Sequence, residues 1–200
     1  MKLLAYEVDK RSFLGIFNED ETWVYPISAA GMEYRSMKDL IREAGPSEME
    51  MLDYISKKAP GDVTGAAPVE EIKIVSPIPE PDQDIICLGI NYMDHAAESA
   101  VFQKEEFARP EKAIYFSKRV NRTNDPDGII PAHKNLTNQL DYEAELAVII
   151  KKDAKDVKPE EVKDYIFGYT IMNDVSAREV QTEHKQWYFG KSLDGFTPLG

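Results

Sequence analysis

The 200-residue chain carries 24 Lys and Arg against 36 Asp and Glu, a formal net charge of −12, and 42% apolar residues. That apolar share is enough to bury a core in one domain or two small ones, while the acidic balance argues against nucleic acid or an anionic membrane as partner, because both select basic surface. One cysteine, Cys87, cannot form an internal disulfide; residues 3–6 are interrupted at once by Glu7 and Asp9 and do not read as a signal peptide; no apolar run approaches the ~20 residues that cross a bilayer. A cytoplasmic protein is expected.

In chain order, residues 2–8 and 12–17 are rich in strand formers and separated by the polar Asp9-Lys10-Arg11, which predicts a hairpin. Residues 22–25 add a third strand. A helix opens near Ser36, with Asp39 three residues on. A second opens at Ser47, where Glu50 completes a capping-box pattern. Met51, Leu52 and Ile55 give that helix an apolar face, and Gly61 and the small residues near Gly65 end it. Residues 71–75 read as a strand. Pro77, Pro79 and Pro81 can neither continue a helix nor sit in a central strand, so an extended linker and a domain boundary are placed there. The expected organisation is a small N-terminal α+β domain over 1–78 and a strand-rich domain over 79–200. In the latter, 84–88, 113–116, 143–150 and 167–173 are strand candidates. A long polar loop covers 121–140, Pro159 with Glu160-Glu161 starts a helix, and another helix covers 176–185.

The strongest local signal for chemistry is Asp141-Tyr142-Glu143-Ala144-Glu145-Leu146. In a strand, Glu143 and Glu145 point to one face. The apolar run that follows predicts burial on both sides, where paired carboxylates are costly and a divalent cation would relieve them. Taken alone, the segment reads more simply as an exposed strand end with two solvated glutamates. Asp174, in Asn173-Asp174-Val175-Ser176-Ala177-Arg178, reads by itself as a helix N-cap. Beside the two glutamates it completes an all-oxygen set suited to Mg²⁺ first, with Mn²⁺ or Ca²⁺ possible. His95 and Glu98 follow Gly89-Ile90-Asn91-Tyr92 and share a helical face at i, i+3 spacing. A histidine oriented by a carboxylate can activate water or remove an acidic proton, although the same spacing is also that of an ordinary surface pair. Lys191, between Gly190 and Ser192, is a candidate for stabilising a developing oxyanion. His133 and His184 have no comparable setting and are read as surface residues.

Each motif is modest, but their order along residues 84–200 closely resembles the fumarylacetoacetate hydrolase family. The resemblance implies a β-rich α+β fold: a twisted β-roll catalytic domain preceded by a smaller, variable N-terminal domain. It implies Glu143, Glu145 and Asp174 as ligands of Mg²⁺ or Mn²⁺, His95 and Glu98 as a lid dyad, and Lys191 as the active-site lysine. It further implies Gln181, Arg178 and Lys118 as substrate contacts, a small 2-oxo acid as substrate, and a homodimer. Two departures stand out. Arg119-Val120-Asn121-Arg122 follows Lys118 where many members carry Pro and small residues. The family's domain also normally runs beyond the motif matched by Phe196-Thr197-Pro198-Leu199-Gly200, so a longer natural chain is expected.

The chemistry so implied passes through an enolate. Metal and lysine would stabilise it, and the His95–Glu98 pair would activate water to cleave a C–C bond. Hydrolysis of an acylpyruvate-like substrate is favoured. Isomerisation, tautomerisation or decarboxylation of a 2-hydroxydienedioate or oxaloacetate-like substrate uses the same intermediate, and a non-catalytic metal-binding homologue is the alternative outside enzymology. Residues 94–107 are the expected lid, closing over bound substrate.

Overall fold

The computed structural model describes residues 1–92 and 112–200. His95, Glu98 and the expected lid over 94–107 therefore lie outside the described residues.

The first 75 residues build one antiparallel sheet. Strands β1 (Leu3–Val8) and β2 (Arg11–Phe17) form the expected hairpin, and β3 (Trp23–Pro26) pairs with β2. The hairpin turn is the two residues Asp9 and Lys10, both at positive φ, the backbone geometry that matches the twist of the flanking strands. The short β4 (Ala67–Pro68) and β5 (Lys73–Val75) complete the order β4-β3-β2-β1-β5. Helix α1 (Met37–Glu43) opens as expected at Ser36, whose hydroxyl accepts from the Asp39 amide at 3.1 Å.

Helix α2 (Pro46–Ser56) opens two residues earlier than expected. Its cap is Gly45, whose amide donates to Glu48 Oε2 at 2.8 Å, and Pro46 takes the first helical position, where no amide hydrogen is needed. Met51 correspondingly turns to solvent while Leu52 and Ile55 are buried. Those two join Ile16, Tyr25, Ile27, Met37, Leu40 and Ile41 in the main core, and Leu4, Tyr6 and Val24 are buried on the opposite face.

Beyond the proline segment the architecture changes. Strands β6 (Ile85–Gly89) and β7 (Ile114–Lys118) form one antiparallel ribbon. The short β8 (Leu140–Asp141) and β11 (Ser176–Ala177) form another, and β9 (Ala144–Ile150) and β10 (Ile166–Asn173) a third. Two short helices follow, α3 (Arg178–His184) and α4 (Trp187–Lys191). The helix expected over 176–185 thus begins two residues later, because Ser176 and Ala177 are held in the β8 ladder. The helix expected at Pro159 is a 3₁₀ turn, Pro159–Asp164. Residues 121–140 have little regular structure until β8, but Asn124 ties the loop down by donating to the Ile129 and Gly195 carbonyls at 3.0 and 2.9 Å.

Among the described residues β9 is packed on one side only. Glu145, Ala147 and Ile149 are half-buried, whereas Leu146 (60% exposed), Val148 and Ile150 face solvent together with Tyr169 and Ile171 (68%) of β10. An apolar run cannot tell a strand with two packed faces from one whose outer face is also apolar. Phe167 is an extra residue in β10 at a register shift, and with Ile149 it packs against the main core of the first region. The same junction is held by polar contacts. Asp125 accepts from Lys73 Nζ at 2.8 Å and from the Ser76 amide at 3.1 Å, and the Thr123 amide donates to the Pro79 carbonyl at 2.9 Å.

Candidate active site

The segments that flank β9 and β10 continue their antiparallel course past the ends of the ribbon. The Asp174 amide donates to the Glu143 carbonyl at 2.8 Å, and the Glu143 amide donates to Asn173 Oδ1 at 3.1 Å. Two residues 31 positions apart in sequence are thereby set side by side, and their carboxylates meet a cluster of cations brought from two other elements.

Lys191, the last residue of α4, donates from Nζ to Glu143 Oε2 and to Asp174 Oδ2, both at 2.6 Å. Lys118, the last residue of β7, donates to Asp174 Oδ1 at 2.6 Å and to the Val175 carbonyl at 3.1 Å. Arg178, which opens α3, reaches Glu143 Oε1 at 2.6 Å and Asp141 Oδ2 at 2.7 Å, and donates to Gln181 Oε1 at 3.1 Å. Lys118 is 0% exposed, Asp174 2% and Lys191 3%. Asp174 is therefore not a solvated helix cap; the residue at the cap position of α3 is Ala177. Gly190 allows the close approach of α4 to α3, since a Cβ there would lie 2.6 Å from Gln181 Cγ and 2.9 Å from the Ala177 carbonyl.

Glu145 stands beside this network without a lysine or arginine partner among the described residues. Burial pushes its carboxyl above the ordinary range, and the charges of Glu143 and Asp174 push the same way, against the hydrogen bond from the Tyr92 hydroxyl. Burial also lowers Lys118, with the Asp174 charge opposing. Cys87 sits on the same inward face of the β6–β7 ribbon, opposite Phe116. Burial, and then the Asp174 charge, push its thiol up to about 12, which makes it an inert side chain rather than a nucleophile.

The structure thus brings together Lys118, Glu143, Asp174, Arg178, Gln181 and Lys191, with Glu145 adjacent. Asp141, Tyr92 and Asn173 also belong to the site. All three lie within the sequence motifs, but nothing in their spacing marked Asp141 as a partner for Arg178. His133 donates to the Asp194 carbonyl, 61 residues away, at 2.8 Å, and His184 to the Val180 carbonyl, one helical turn back, at 3.0 Å.

Among the described residues no group of three or more His, Cys, Asp and Glu side chains gathers in metal-binding geometry. The donor chemistry nonetheless fits a hard divalent cation. The carboxylates of Glu143 and Asp174 already share a cation, the Lys191 ammonium, and Glu145 is a neighbouring carboxyl whose charge lacks compensation. Lys191 competes for the same oxygens. Asp141, Glu143, Glu145 and Asp174 against Lys118, Arg178 and Lys191 leave a formal charge of −1. A dication would turn it to +1, the sign that attracts an anionic substrate.

A family model described as fumarylacetoacetate (FAA) hydrolase, C-terminal, matches residues 84–200, which hold every site residue named above. The chain belongs to the fumarylacetoacetate hydrolase family. Among its relatives, the oxaloacetate tautomerase YisK of Bacillus subtilis is 42% identical over 210 residues, covering 100% of this chain and 68% of its own. Among solved structures, a fumarylacetoacetate hydrolase from the psychrophile Exiguobacterium antarcticum superimposes with a TM-score of 0.74 at 32% identity, over 100% of this chain and 65% of that one. A 5-carboxymethyl-2-hydroxymuconate delta-isomerase from Mycobacterium smegmatis gives a TM-score of 0.65 at 26% identity, again over 100% and 65%. The chain spans about two-thirds of the length of these relatives. Its β-rich α+β fold is that of the family. Among the described residues no helix is long and apolar enough to cross a membrane.

Proposed function

We propose that the protein catalyses keto–enol tautomerisation of a small 2-oxo acid, with an oxaloacetate-like diacid as the first candidate substrate. The observation that carries this reading is the buried Lys191 ammonium bridging Glu143 and Asp174, in a chain whose whole length aligns at 42% identity with an oxaloacetate tautomerase. A divalent metal, Mg²⁺ or Mn²⁺, held by Glu143, Glu145 and Asp174 would supply Lewis acidity to the 2-oxo acid group.

The chain's own residues do the rest. Arg178, fixed by Asp141 and Gln181, offers its guanidinium to a substrate carboxylate, the planar pairing for which arginine is suited. Lys191 places an N–H donor where negative charge grows on the C2 oxygen as the C3 proton leaves. His95, oriented by Glu98, is the proposed carrier of that proton between C3 and solvent. Lys118 holds the other oxygen of Asp174 and so fixes the carboxylate that orients Lys191.

Hydrolytic C–C cleavage of an acylpyruvate is the second reading. It is supported by the likeness to the Exiguobacterium hydrolase and needs only a water delivered to a distal carbonyl of the same enolate. The deciding experiment follows enol absorbance and acid products after mixing the full-length protein and Mg²⁺ or Mn²⁺ with enol oxaloacetate, acetylpyruvate or fumarylpyruvate. Faster relaxation of oxaloacetate without new acids, abolished by a chelator, is the expected result. Stoichiometric cleavage of an acylpyruvate would transfer the assignment to hydrolysis. Relaxation no faster than in buffer, with metal bound and no cleavage, would sink both.

A further inference from the structure

We infer that Phe116 and Trp187 form an aromatic wall that positions Lys191. This rests on the proposal that Lys191 acts on the enolate, and adds two residues outside the ion-pair network. Lys191 Nζ lies 5.1 Å from the centroid of the Phe116 ring. The ammonium thus lies over the ring, whose negative face attracts its charge. Phe116 is held in turn by Trp187, edge to face, with centroids 5.2 Å apart and planes at 82°. Trp187 and Lys191 are the first and last residues of α4, four apart and therefore on one helical face, so a single short helix presents both the ammonium and the buttress of the ring behind it.

The wall has a built-in seat. A Cβ at Gly89 would stand 2.1 Å from Trp187 Cζ3, a separation that admits only glycine. Gly89 ends β6 opposite Ile114, and Cys87 pairs with Phe116 on the same face, so the ladder that places the ring also places the gap that receives the indole. A lysine stem has several rotatable bonds. Two carboxylates set the distance of its head, and the ring removes the rotamers that swing the head away from both. The consequence falls on turnover rather than on substrate capture, because the wall shapes the group that meets charge in the transition state.

The test uses the full-length protein with Mg²⁺ and the substrate found active above. Phe116→Leu keeps the apolar volume and removes the ring; it is expected to lower kcat about tenfold with KM changed less than about twofold. Phe116→Tyr keeps the ring and is expected to retain kcat within about threefold. Gly89→Ala, which displaces the indole, should reproduce the loss seen in Phe116→Leu. Thermal melts establish that each variant is folded. Wild-type kcat in Phe116→Leu, an equal loss in Phe116→Tyr, or a loss confined to KM would overturn the inference. A readout independent of turnover separates it from the functional reading. The Lys191 Cε protons should show a ring-current displacement in the NMR spectrum that disappears in Phe116→Leu and persists in Phe116→Tyr. Its absence from the wild type refutes the wall whatever the enzyme does, and its presence in a protein without turnover refutes only the function.

Discussion

The two halves of the chain hold themselves together by different physics. In the first, a five-stranded sheet buries apolar side chains on both faces, and its ion pairs, such as Lys2–Glu21 and Asp53–Lys57, lie at the surface. In the second, the most protected space among three two-stranded ribbons holds a network of lysine, arginine and carboxylate. Buried ion pairs seldom add stability over a well-packed apolar alternative, because desolvation offsets the attraction. Their concentration in one half is therefore poorly explained by stability and accords with the function proposed above. The first half reads as scaffold and the second as reagent.

The largest expected effect strikes the network. Asp174→Ala leaves the Lys118 and Lys191 ammoniums buried without their shared carboxylate, and should cost roughly 3–5 kcal/mol in urea unfolding together with all turnover. A loss below about 1 kcal/mol would show that the cluster admits water and that the contrast between the halves is overdrawn. Next comes Leu52→Ala, a fully buried position of the first core, expected to cost about 2–5 kcal/mol while leaving kcat of the folded fraction unchanged. A matching fall in kcat would break the division between scaffold and reagent.

A smaller effect tests the junction. Burial works against ionisation of Asp125, but Lys73 and the Ser76 amide prevail and hold its carboxyl below the ordinary value of 3.8. A depressed folded value means stability that is present above the unfolded value and lost as pH falls through the folded one. Asp125→Asn should therefore cost about 1–2 kcal/mol at neutral pH, with the difference from wild type vanishing in acid. A penalty that persists in acid would assign the effect to packing.

The smallest effect has the opposite sign. Glu145 is raised by burial and by its acidic neighbours, so the folded state binds the extra proton above the ordinary value of 4.5. Stability then falls as pH rises through the raised value, and the ionised side chain is a cost at neutral pH. Glu145→Gln should raise the melting temperature of the metal-free protein slightly and weaken Mg²⁺ or Mn²⁺ binding in calorimetry. Unchanged metal affinity would remove Glu145 from the proposed ligand set.

Local physics made much of this readable in advance. The Asp9-Lys10 hairpin turn, the Ser36 cap and the ribbon strands follow from turn chemistry, capping and apolar runs, each of which acts within a few residues. Errors arose where two local signals competed. Gly45-Pro46 with Glu48 outbid Ser47 with Glu50 because proline is already set for the first helical position. Helix α4 is five residues long and too short to show a period. The carboxylates and lysines of the site were identifiable by type, order and resemblance, but their pairing was not.

The sequence by itself therefore determined the inventory: the fold family, the strands, and the acidic and basic residues of the candidate site. Only the tertiary structure decided that Asp174 is shared by Lys118, 56 residues away, and Lys191, 17 residues away; that Arg178 spans Asp141 and Glu143; and that the Lys191 ammonium lies over the Phe116 ring. The reason is physical. Propensity and periodicity are properties of neighbours along the chain, whereas a charge feels whatever folding brings within a few ångströms once water has been removed.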